Sequence, residues 1–374
     1  MYKPVKGRCT RYSLLWSVFF FTFAAGLEDI FTLEPTVKPE VMRVAVVGAT
    51  GLVGRKLAAV LEQRSFPVDE FIPVASEASV GRKVQFAGKE YTVTGMEEAL
   101  LTRPHLVFFS AGAETSRQWA KLFAERGSVV IDNSSAWRSD DSVPLLVPEV
   151  NSHILNHHHR LISNPNCSTI QLVVAINPIY KHYGIRRLVI STYQSVTGTG
   201  QKAVQQLRDE QQAKTPSVMA YPHPIHENII PHGGQFDDEG YTTEERKLEQ
   251  ETRKIMDAPE IGVTATVVRV PVLGGHSVSA NIETESNFSI EDIRRLLSES
   301  SGIVLQDDPA ANLYPMPIIA QNRDEVFVGR LRSDSSHPRA FNMWIVSDNL
   351  RKGAATNAVQ IAEMMLSKKL LPAL

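Results

Sequence analysis

Cysteine is almost missing from this chain, and neither sign of charge is in excess. Only Cys9 and Cys167 occur in 374 residues, which excludes a disulfide-stapled fold and indicates a reducing compartment. The 39 basic and 41 acidic residues nearly cancel, and the basic ones are scattered, so no nucleic-acid surface is expected. With 43% hydrophobic and 21% charged residues, the composition is that of a globular protein long enough for two domains.

The first 41 residues differ from those that follow. Basic residues precede an apolar run at 14–21, which resembles the layout of a secretory signal peptide. The run is too short and too interrupted to predict a membrane span. The alternative is a misassigned start, because Met42 stands directly before the first predicted strand. We favour this second interpretation and leave residues 1–41 out of the predicted fold.

A glycine-rich turn follows the first predicted strand. Residues 43–47 form a short β-branched run, and residues 55–63 have a helical pattern. Between them Gly48, Gly51 and Gly54 have the spacing GxxGxxG. Glycines in this context let the backbone approach a pyrophosphate, which N–H groups at the helix start can hold. The turn predicts a dinucleotide site; since GxGxxG is the commoner spacing, a turn without a ligand is the alternative.

Strands and helices then alternate, which indicates a doubly wound parallel sheet. Further strands are predicted at 70–75, 106–110 and 128–132, with a helix at 116–126. Ligands bind such sheets beyond the carboxyl ends of the strands, where Ser76, Ser110 and Asn133 stand. We therefore predict an α/β fold with a Rossmann-type dinucleotide-binding domain over residues 42–167.

The second half of the chain predicts a different sheet. Longer, more alternating strands are predicted at 187–193, 262–270, 277–283, 325–331 and 341–346, with helices at 241–256 and 290–298. Such strands are typical of a mixed sheet with one wet face, assigned here to residues 168–350. A last helix is predicted at 352–367, in the segment 351–374; it is apolar on one side and is expected to return to the first domain.

Cys167 is the most informative single residue. Asn164 and Pro165 predict a tight turn before it, and residues 170–176 predict a buried helix after it. This places the cysteine at or near a helix N-terminus, where free N–H groups and the macrodipole favour a thiolate. A buried structural cysteine is the alternative, but a core cysteine does not need a polar turn.

Several motifs, in order, resemble the aspartate-β-semialdehyde dehydrogenase family from Val41 to the C-terminus. They are the loop at 48–54, Asp-Asn-Ser-Ser-Ala-Trp-Arg at 132–138, Val-Pro-Glu-Val-Asn at 147–151, Asn-Pro-Asn-Cys-Ser-Thr at 164–169, Ser-Thr-Tyr-Gln at 191–194, Arg-Val-Pro-Val with Gly-His-Ser within 269–277, and Trp-Ile-Val-Ser-Asp-Asn-Leu at 344–350. One such match is weak, whereas the full set in this order is highly specific.

The resemblance implies reversible, phosphate-dependent oxidation of L-aspartate 4-semialdehyde to L-4-aspartyl phosphate. It serves lysine, threonine and methionine biosynthesis with a nicotinamide cofactor, taken as NADP with NAD as the alternative. The mixed-sheet domain is then an α+β catalytic and dimerisation domain, and the protein a cytoplasmic homodimer. Its partners are a small-molecule substrate and inorganic phosphate, without nucleic acid, membrane or metal.

The resemblance also carries roles over to matching positions. Cys167 is similar to the nucleophile that forms a thiohemiacetal and then a thioester. His276 matches the general acid/base, expected to titrate near neutrality. The other implied residues are Gln194 and Asn166 for orientation and carbonyl polarisation, Arg269 and Glu244 for the substrate carboxylate and amine, and Arg138 and Lys247 for phosphate. Without the resemblance, Glu244 and Lys247 would be interpreted as a solvated ion pair.

The implied cofactor contacts come from four regions. They are Gly48, Thr50, Gly51, Leu52, Val53 and Gly54 in the loop, Ser76, Ala78 and Ser79 after the second strand, Ser110, Gly112, Thr197 and Gly198 at later turns, and Asn357 in the last helix. One position departs from the family: Ala78 stands where many relatives have an arginine for the 2′-phosphate. Because Glu77 is acidic and Arg82 is the nearest cation, we predict a weakened preference for NADP.

Two rival functions stay open at this stage. An N-acetyl-γ-glutamyl-phosphate reductase shares fold, cysteine and reaction type, but its capped amine does not need the acidic Glu244. A catalytically silent dinucleotide-binding sensor would be expected to lack the nucleophile, base or cations, which are all present. The run His157 to His159 is interpreted as a solvated loop and not as a metal site, because adjacent histidines rarely converge on one ion.

Overall fold

The computed structural model describes residues 41–371, so the prediction for the leader lies outside the described residues apart from Val41. The strands are β1 Arg43–Val47, β2 Glu70–Val74, β3 Lys83–Phe86, β4 Lys89–Thr92, β5 Leu106–Phe109, β6 Val129–Asp132, β7 Leu161–Ser163, β8 Arg187–Ser195, β9 Gly262–Val270, β10 His276–Glu283, β11 Ile303–Leu305, β12 Val326–Ser333 and β13 Ala340–Ser347. The helices are α1 Leu52–Gln63, α2 Met96–Leu101, α3 Ala113–Glu125, α4 Pro148–Asn151, α5 Cys167–Tyr183, α6 Gln201–Gln211, α7 Thr243–Met256, α8 Ile290–Ser298, α9 Pro317–Ala320 and α10 Thr356–Ser367. No helix within this range is long and apolar enough to cross a membrane.

The first half forms a five-stranded parallel sheet in the order β2-β1-β5-β6-β7. Strand β1 shows why both faces are covered, since Val44 and Val46 pack in one apolar cluster and Ala45 and Val47 in another. Alternate residues of a strand point to opposite faces, so a continuous apolar run needs helices on both sides. The predicted doubly wound parallel sheet is confirmed.

The second half forms a six-stranded mixed sheet in the order β11-β12-β13-β10-β8-β9. Strands β8 and β9 pair in parallel, as do β11 and β12, and the other neighbours are antiparallel. Helices α5, α7 and α8 cover one face with a single large apolar cluster. The predicted mixed sheet is confirmed, and its first helix, α5, begins at the singled-out cysteine.

The chain ends beside the first sheet. Helix α10 buries Ala358, Val359, Ala362 and Met365 in the cluster that also holds Val44 and Val46. The turn before it, Arg351–Ala355, is a π-helix, so the predicted α-helix does not start at residue 352. π-Turns are rare and recur at functional sites, and this one packs against the N-terminus of α5.

Candidate active site

The ends of β5, β6 and β7 face those of β8 and β9 across a cavity of about 280 Å³. Residues predicted for chemistry that line it are Arg138, Asn166, Cys167, Gln194, Glu244, Lys247 and Arg269. Residues predicted for the cofactor that line it are Val53, Ser110, Gly112, Thr197 and Gly198. The site therefore lies where ligands bind open α/β sheets, beyond the carboxyl ends of the strands.

Cys167 is the first residue of α5, and Asn166 is the N-cap. The Oδ1 atom of Asn166 accepts hydrogen bonds from the N–H groups of Ser168 at 2.9 Å and Thr169 at 3.4 Å. On the opposite side, a Cβ on Gly353 of the π-turn would lie 2.9 Å from the Cys167 Cβ. Cys167 thus lies between the N-cap residue Asn166 and Gly353, whose lack of a side chain leaves space for the cysteine.

The protonation state of Cys167 differs from the expectation. Burial, and after it the nearby carboxylate of Glu244, raise the pKa of the thiol to about 11. Arg269 and Arg138 act in the opposite direction without compensating for these two effects. The loss of hydration therefore dominates, and the thiol is protonated at neutral pH.

His276 also differs from the prediction. The ring is completely buried at the start of β10, and the N–H of Ser195 donates to its Nδ1 at 3.0 Å. Burial and then the positive charge of Arg269 lower the pKa of the imidazole to about 3, not near neutrality. Because Nδ1 accepts a hydrogen bond, the neutral ring carries its proton on Nε2.

The Nε2 atom of His276 faces Gly198. A Cβ on Gly198 would lie 2.9 Å from this Nε2 and 2.9 Å from Nη1 of Arg269, so a side chain here would collide with both. Neither nitrogen has a hydrogen-bond partner among residues 41–371. Two buried, unpaired donors converging beside a cavity are groups that a substrate oxygen can satisfy.

The side chain of Glu244 links Asn166, the residue before Cys167, to the basic residue Lys247. Its carboxylate accepts a hydrogen bond from Nδ2 of Asn166 at 2.7 Å and another from Nζ of Lys247. Burial alone would raise the pKa of Glu244, but attraction by Lys247 and Arg269, with these hydrogen bonds, holds the pKa below its usual value. The carboxylate is therefore ionised. It lines the cavity beside which the unpaired donors of His276 and Arg269 also lie.

Arg138 is tied to the same loop by a residue that the sequence analysis missed. Its Nη2 donates to the carbonyl oxygen of Asn133 at 2.8 Å, and its Nη1 donates to Oε1 of Glu251 at 3.2 Å. The other oxygen of Glu251 accepts the backbone N–H of Asn166 at 2.6 Å. Glu251 lies four residues after Lys247 and seven after Glu244 on one face of α7, and this i, i+3, i+7 spacing was the available signal.

Gln194 lies in β8 with its side chain buried against α5. Its Nε2 donates to Oγ of Ser168 at 3.0 Å and Oγ1 of Thr192 at 3.3 Å. Its Oε1 has no partner in the described part of the chain. The amide is oriented by the residue next to Cys167, which fits the predicted positioning role.

The glycine loop fits a closely approaching phosphate group. Gly48 has a φ of +84°, and a Cβ there would lie 2.5 Å from the carbonyl oxygen of Ser110. A Cβ on Gly54 would lie 2.1 Å from the carbonyl oxygen of Gly48. Only glycine allows this packing of loop, helix start and neighbouring turn, as a dinucleotide cradle requires.

The remaining predicted cofactor residues divide into two groups. Thr50, Gly51 and Leu52 continue the loop, and Ser76, Ala78 and Ser79 lie in the short turn after β2. The prediction for Asn357 is corrected, because this residue does not line the cavity. Its amide is fully buried away from the cavity, donating to Leu146 and Asn164 and accepting from Lys352, whereas Asn349 lines the cavity instead.

Family models match both halves of the chain. Residues 43–158 match the semialdehyde dehydrogenase NAD-binding domain, and residues 176–352 match the semialdehyde dehydrogenase dimerisation domain. Together with the parallel sheet, the glycine cradle and the cysteine in the cavity, these matches define an oxidoreductase with a nicotinamide dinucleotide cofactor.

Relatives narrow the class further. The aspartate-semialdehyde dehydrogenase of Aquifex aeolicus is 51% identical over 337 residues, covering 88% of this chain and 99% of that protein. The enzyme of Bacillus subtilis is 46% identical, covering 87% and 97%. The structure of Vibrio cholerae aspartate semialdehyde dehydrogenase II complexed with ASA superposes with a TM-score of 0.84 at 42% identity, covering 88% and 99%. The chain belongs to the aspartate-semialdehyde dehydrogenase family. This membership supports neither of the two rival functions, the N-acetyl-γ-glutamyl-phosphate reductase and the silent sensor.

Proposed function

We propose that this enzyme converts L-aspartate 4-semialdehyde and inorganic phosphate reversibly to L-4-aspartyl phosphate, through a thioester on Cys167. The observation that carries the proposal is the convergence on one cavity of a cysteine, an ionised Glu244 and three cations, Arg138, Lys247 and Arg269. The cysteine supplies a covalent step, and the charges match a substrate with an amine, a carboxylate and an incoming phosphate.

Substrate placement follows from charge. The guanidinium of Arg269 is buried with Nη1 unpaired among the described residues, so it can hold the α-carboxylate through two hydrogen bonds. Glu244 is the acidic partner for the free amine. With both ends held, the aldehyde carbon faces Sγ of Cys167 and the oxygen faces Nε2 of His276 beside Gly198.

The chain's groups act on that bound aldehyde in sequence. The sulfur of Cys167 attacks the carbonyl carbon, and the thiol proton passes to the carbonyl oxygen to give the thiohemiacetal. The N–H at Nε2 of His276 is the proposed hydrogen-bond donor to that oxygen, which is the donor half of its predicted acid–base role. Asn166 and Gln194 hold the reacting groups in line. A nicotinamide dinucleotide held by the glycine loop at 48–54 would supply the hydride acceptor that oxidises the adduct to a thioester on Cys167. Arg138 and Lys247 then hold phosphate for attack on the thioester carbonyl, which releases the thiolate.

NADP is the proposed cofactor, with NAD as a usable second. Ser76 and Ser79 flank Ala78 in the turn after β2, and Arg82 lines a surface cavity that also includes Thr50 of the glycine loop. These groups support binding of a 2′-phosphate without the arginine that many relatives use. Specificity constants of the same order for both cofactors are expected, and a preference of about three orders of magnitude for NADP would contradict this proposal.

We also propose a cytoplasmic homodimer with the partition stated from the sequence. Residues 42–167 would bind the cofactor, 168–350 would supply catalysis and subunit contact, and 351–374 would return to the first domain. The match of residues 176–352 to a dimerisation domain supports the dimer.

The decisive assay follows nicotinamide reduction with L-aspartate 4-semialdehyde, with and without phosphate. Phosphate-dependent turnover is expected for the full chain and should be lost in Cys167→Ala. Turnover that survives in Cys167→Ala would contradict the thioester. The N-acetylated glutamyl semialdehyde serves as the comparison substrate, and faster turnover with it would contradict the assignment of Glu244.

A further inference from the structure

A second cavity adjoins the active site on the side of the phosphate residues. It measures about 660 Å³ and lies between the loop after β6 and one face of α7. Ser135, Arg138 and Lys247 line both this cavity and the active site, so the two spaces meet at the proposed phosphate residues. Ser139 stands on the loop wall, and Gln250 stands on the helix wall, both exposed.

Four basic and three acidic side chains line this second cavity, so its net charge favours an anion. Arg253 and Lys254 extend the row of cations that begins at Lys247. Among the acids, Glu251 is already engaged by Arg138 and by the backbone N–H of Asn166. Asp141 is fully exposed and stands 3.9 Å from Lys254. The remaining acid, Asp257, lies at the far end of the helix.

Two hydrogen bonds of Lys254 hold the walls of this cavity apart, and Arg138 supplies an unpaired donor. The ammonium of Lys254 donates to the carbonyl oxygens of Arg138 at 3.0 Å and Asp140 at 2.7 Å, which fixes the spacing of loop and helix. The Nε of Arg138 is buried without a hydrogen-bond partner in residues 41–371. An oxyanion reaching this guanidinium would satisfy it.

The order of the reaction favours a separate entrance for phosphate. Phosphate attacks only after the thioester has formed, when the active-site cavity of about 280 Å³ holds the acylated cysteine and the nicotinamide ring. We propose that the second cavity admits inorganic phosphate and holds it before delivery to Arg138 and Lys247. This inference rests on the proposed function, because it assigns the entry of the second substrate of that reaction.

The test separates thioester formation from phosphate attack. The full chain is mixed rapidly with aspartate semialdehyde and NADP without phosphate, and the burst of reduced cofactor reports formation of the thioester. The dependence of turnover on phosphate concentration then gives kcat/KM for phosphate. Ser139→Trp narrows the second cavity from the loop, and Ser298→Trp, the same change at the exposed end of α8, is the matched control.

We expect Ser139→Trp to keep the burst rate and to lower kcat/KM for phosphate about tenfold, the scale of effect that a charged cleft has on ion entry. Ser298→Trp should change neither. A normal burst with unchanged kcat/KM for phosphate would overturn the entry proposal and leave the proposed function intact. Absence of a burst in the unmodified enzyme would overturn the thioester itself. If Ser139→Trp slows both steps, Gln250→Trp, which narrows the cavity from the helix, decides by the same two rates.

Discussion

Replacing Glu244 by glutamine should make Cys167 react faster in the empty enzyme. The thiol pKa of about 11 means that about one molecule in a thousand carries a thiolate at pH 8. Burial is the larger cause and the Glu244 carboxylate the second, so removing this negative charge lowers the pKa. A decrease of about one unit corresponds to about 1.4 kcal/mol and to about tenfold more thiolate at pH 8.

The assay is alkylation by iodoacetamide without substrate or cofactor. Mass spectrometry must follow the peptide that contains Cys167, because the chain has a second cysteine, Cys9. In the unmodified protein the rate should rise about tenfold per pH unit from pH 7 to 10, since thiolate is the reacting form. Glu244→Gln should shift the whole profile to lower pH. Glu125→Gln, an exposed carboxylate at the end of α3, is the control and should leave the profile unchanged.

Two results would refute this reasoning. A rate that levels off near pH 8 in the unmodified protein would show that the helix N-terminus dominates over burial. A slower or unchanged rate in Glu244→Gln would show that its charge does not act on the thiol. The expected result, in contrast, would mean that substrate binding activates the cysteine, because in the proposed binding mode the substrate amine would neutralise Glu244.

Three further outcomes are expected from buried contacts. Glu251→Gln can accept only one of its two hydrogen bonds, so the burst and the phosphate step should both slow about tenfold in stopped-flow traces, and an unchanged burst would contradict its positioning role. Gly54→Ala puts a methyl 2.1 Å from the Gly48 carbonyl oxygen and should weaken cofactor binding about tenfold by fluorescence titration, without changing alkylation of the cysteine. Lys352→Met leaves Glu149 without its buried cation, with side chains that are 1% and 16% exposed, and should lower the free energy of unfolding by about 3 kcal/mol in urea. A loss below about 1 kcal/mol would mean that the buried pair adds little.

Long, periodic elements could be predicted from the sequence, and short ones could not. Strand β9 and helix α8 have the predicted bounds, because each carries a clear period over eight residues or more. The hairpin of β3 and β4 was missed because its side chains are mostly exposed. The three-residue strands β7 and β11 are too short for any period and exist through their neighbours.

The sequence motifs predicted many of the residues that line the cavity. The cavity brings together Cys167, Arg138 and Lys247, which the motifs singled out. The protonation states of Cys167 and His276 were not predictable, because both depend on burial by distant segments. Glu251 was missed for the same reason, since the backbone N–H that it binds lies 85 residues away in the chain.

The position of α10 has a consequence for how the protein folds during its synthesis on the ribosome. The apolar face of the first sheet is closed by residues between Ala355 and Met365, more than 180 residues after the last strand of that sheet, β7, has been made. Domains usually mature in order of synthesis, yet part of this apolar face stays uncovered until residues 355–365 have been made. We expect a nascent chain to expose this patch until then, and a chain that stops before Ala355 to lack part of the apolar cover of the first sheet.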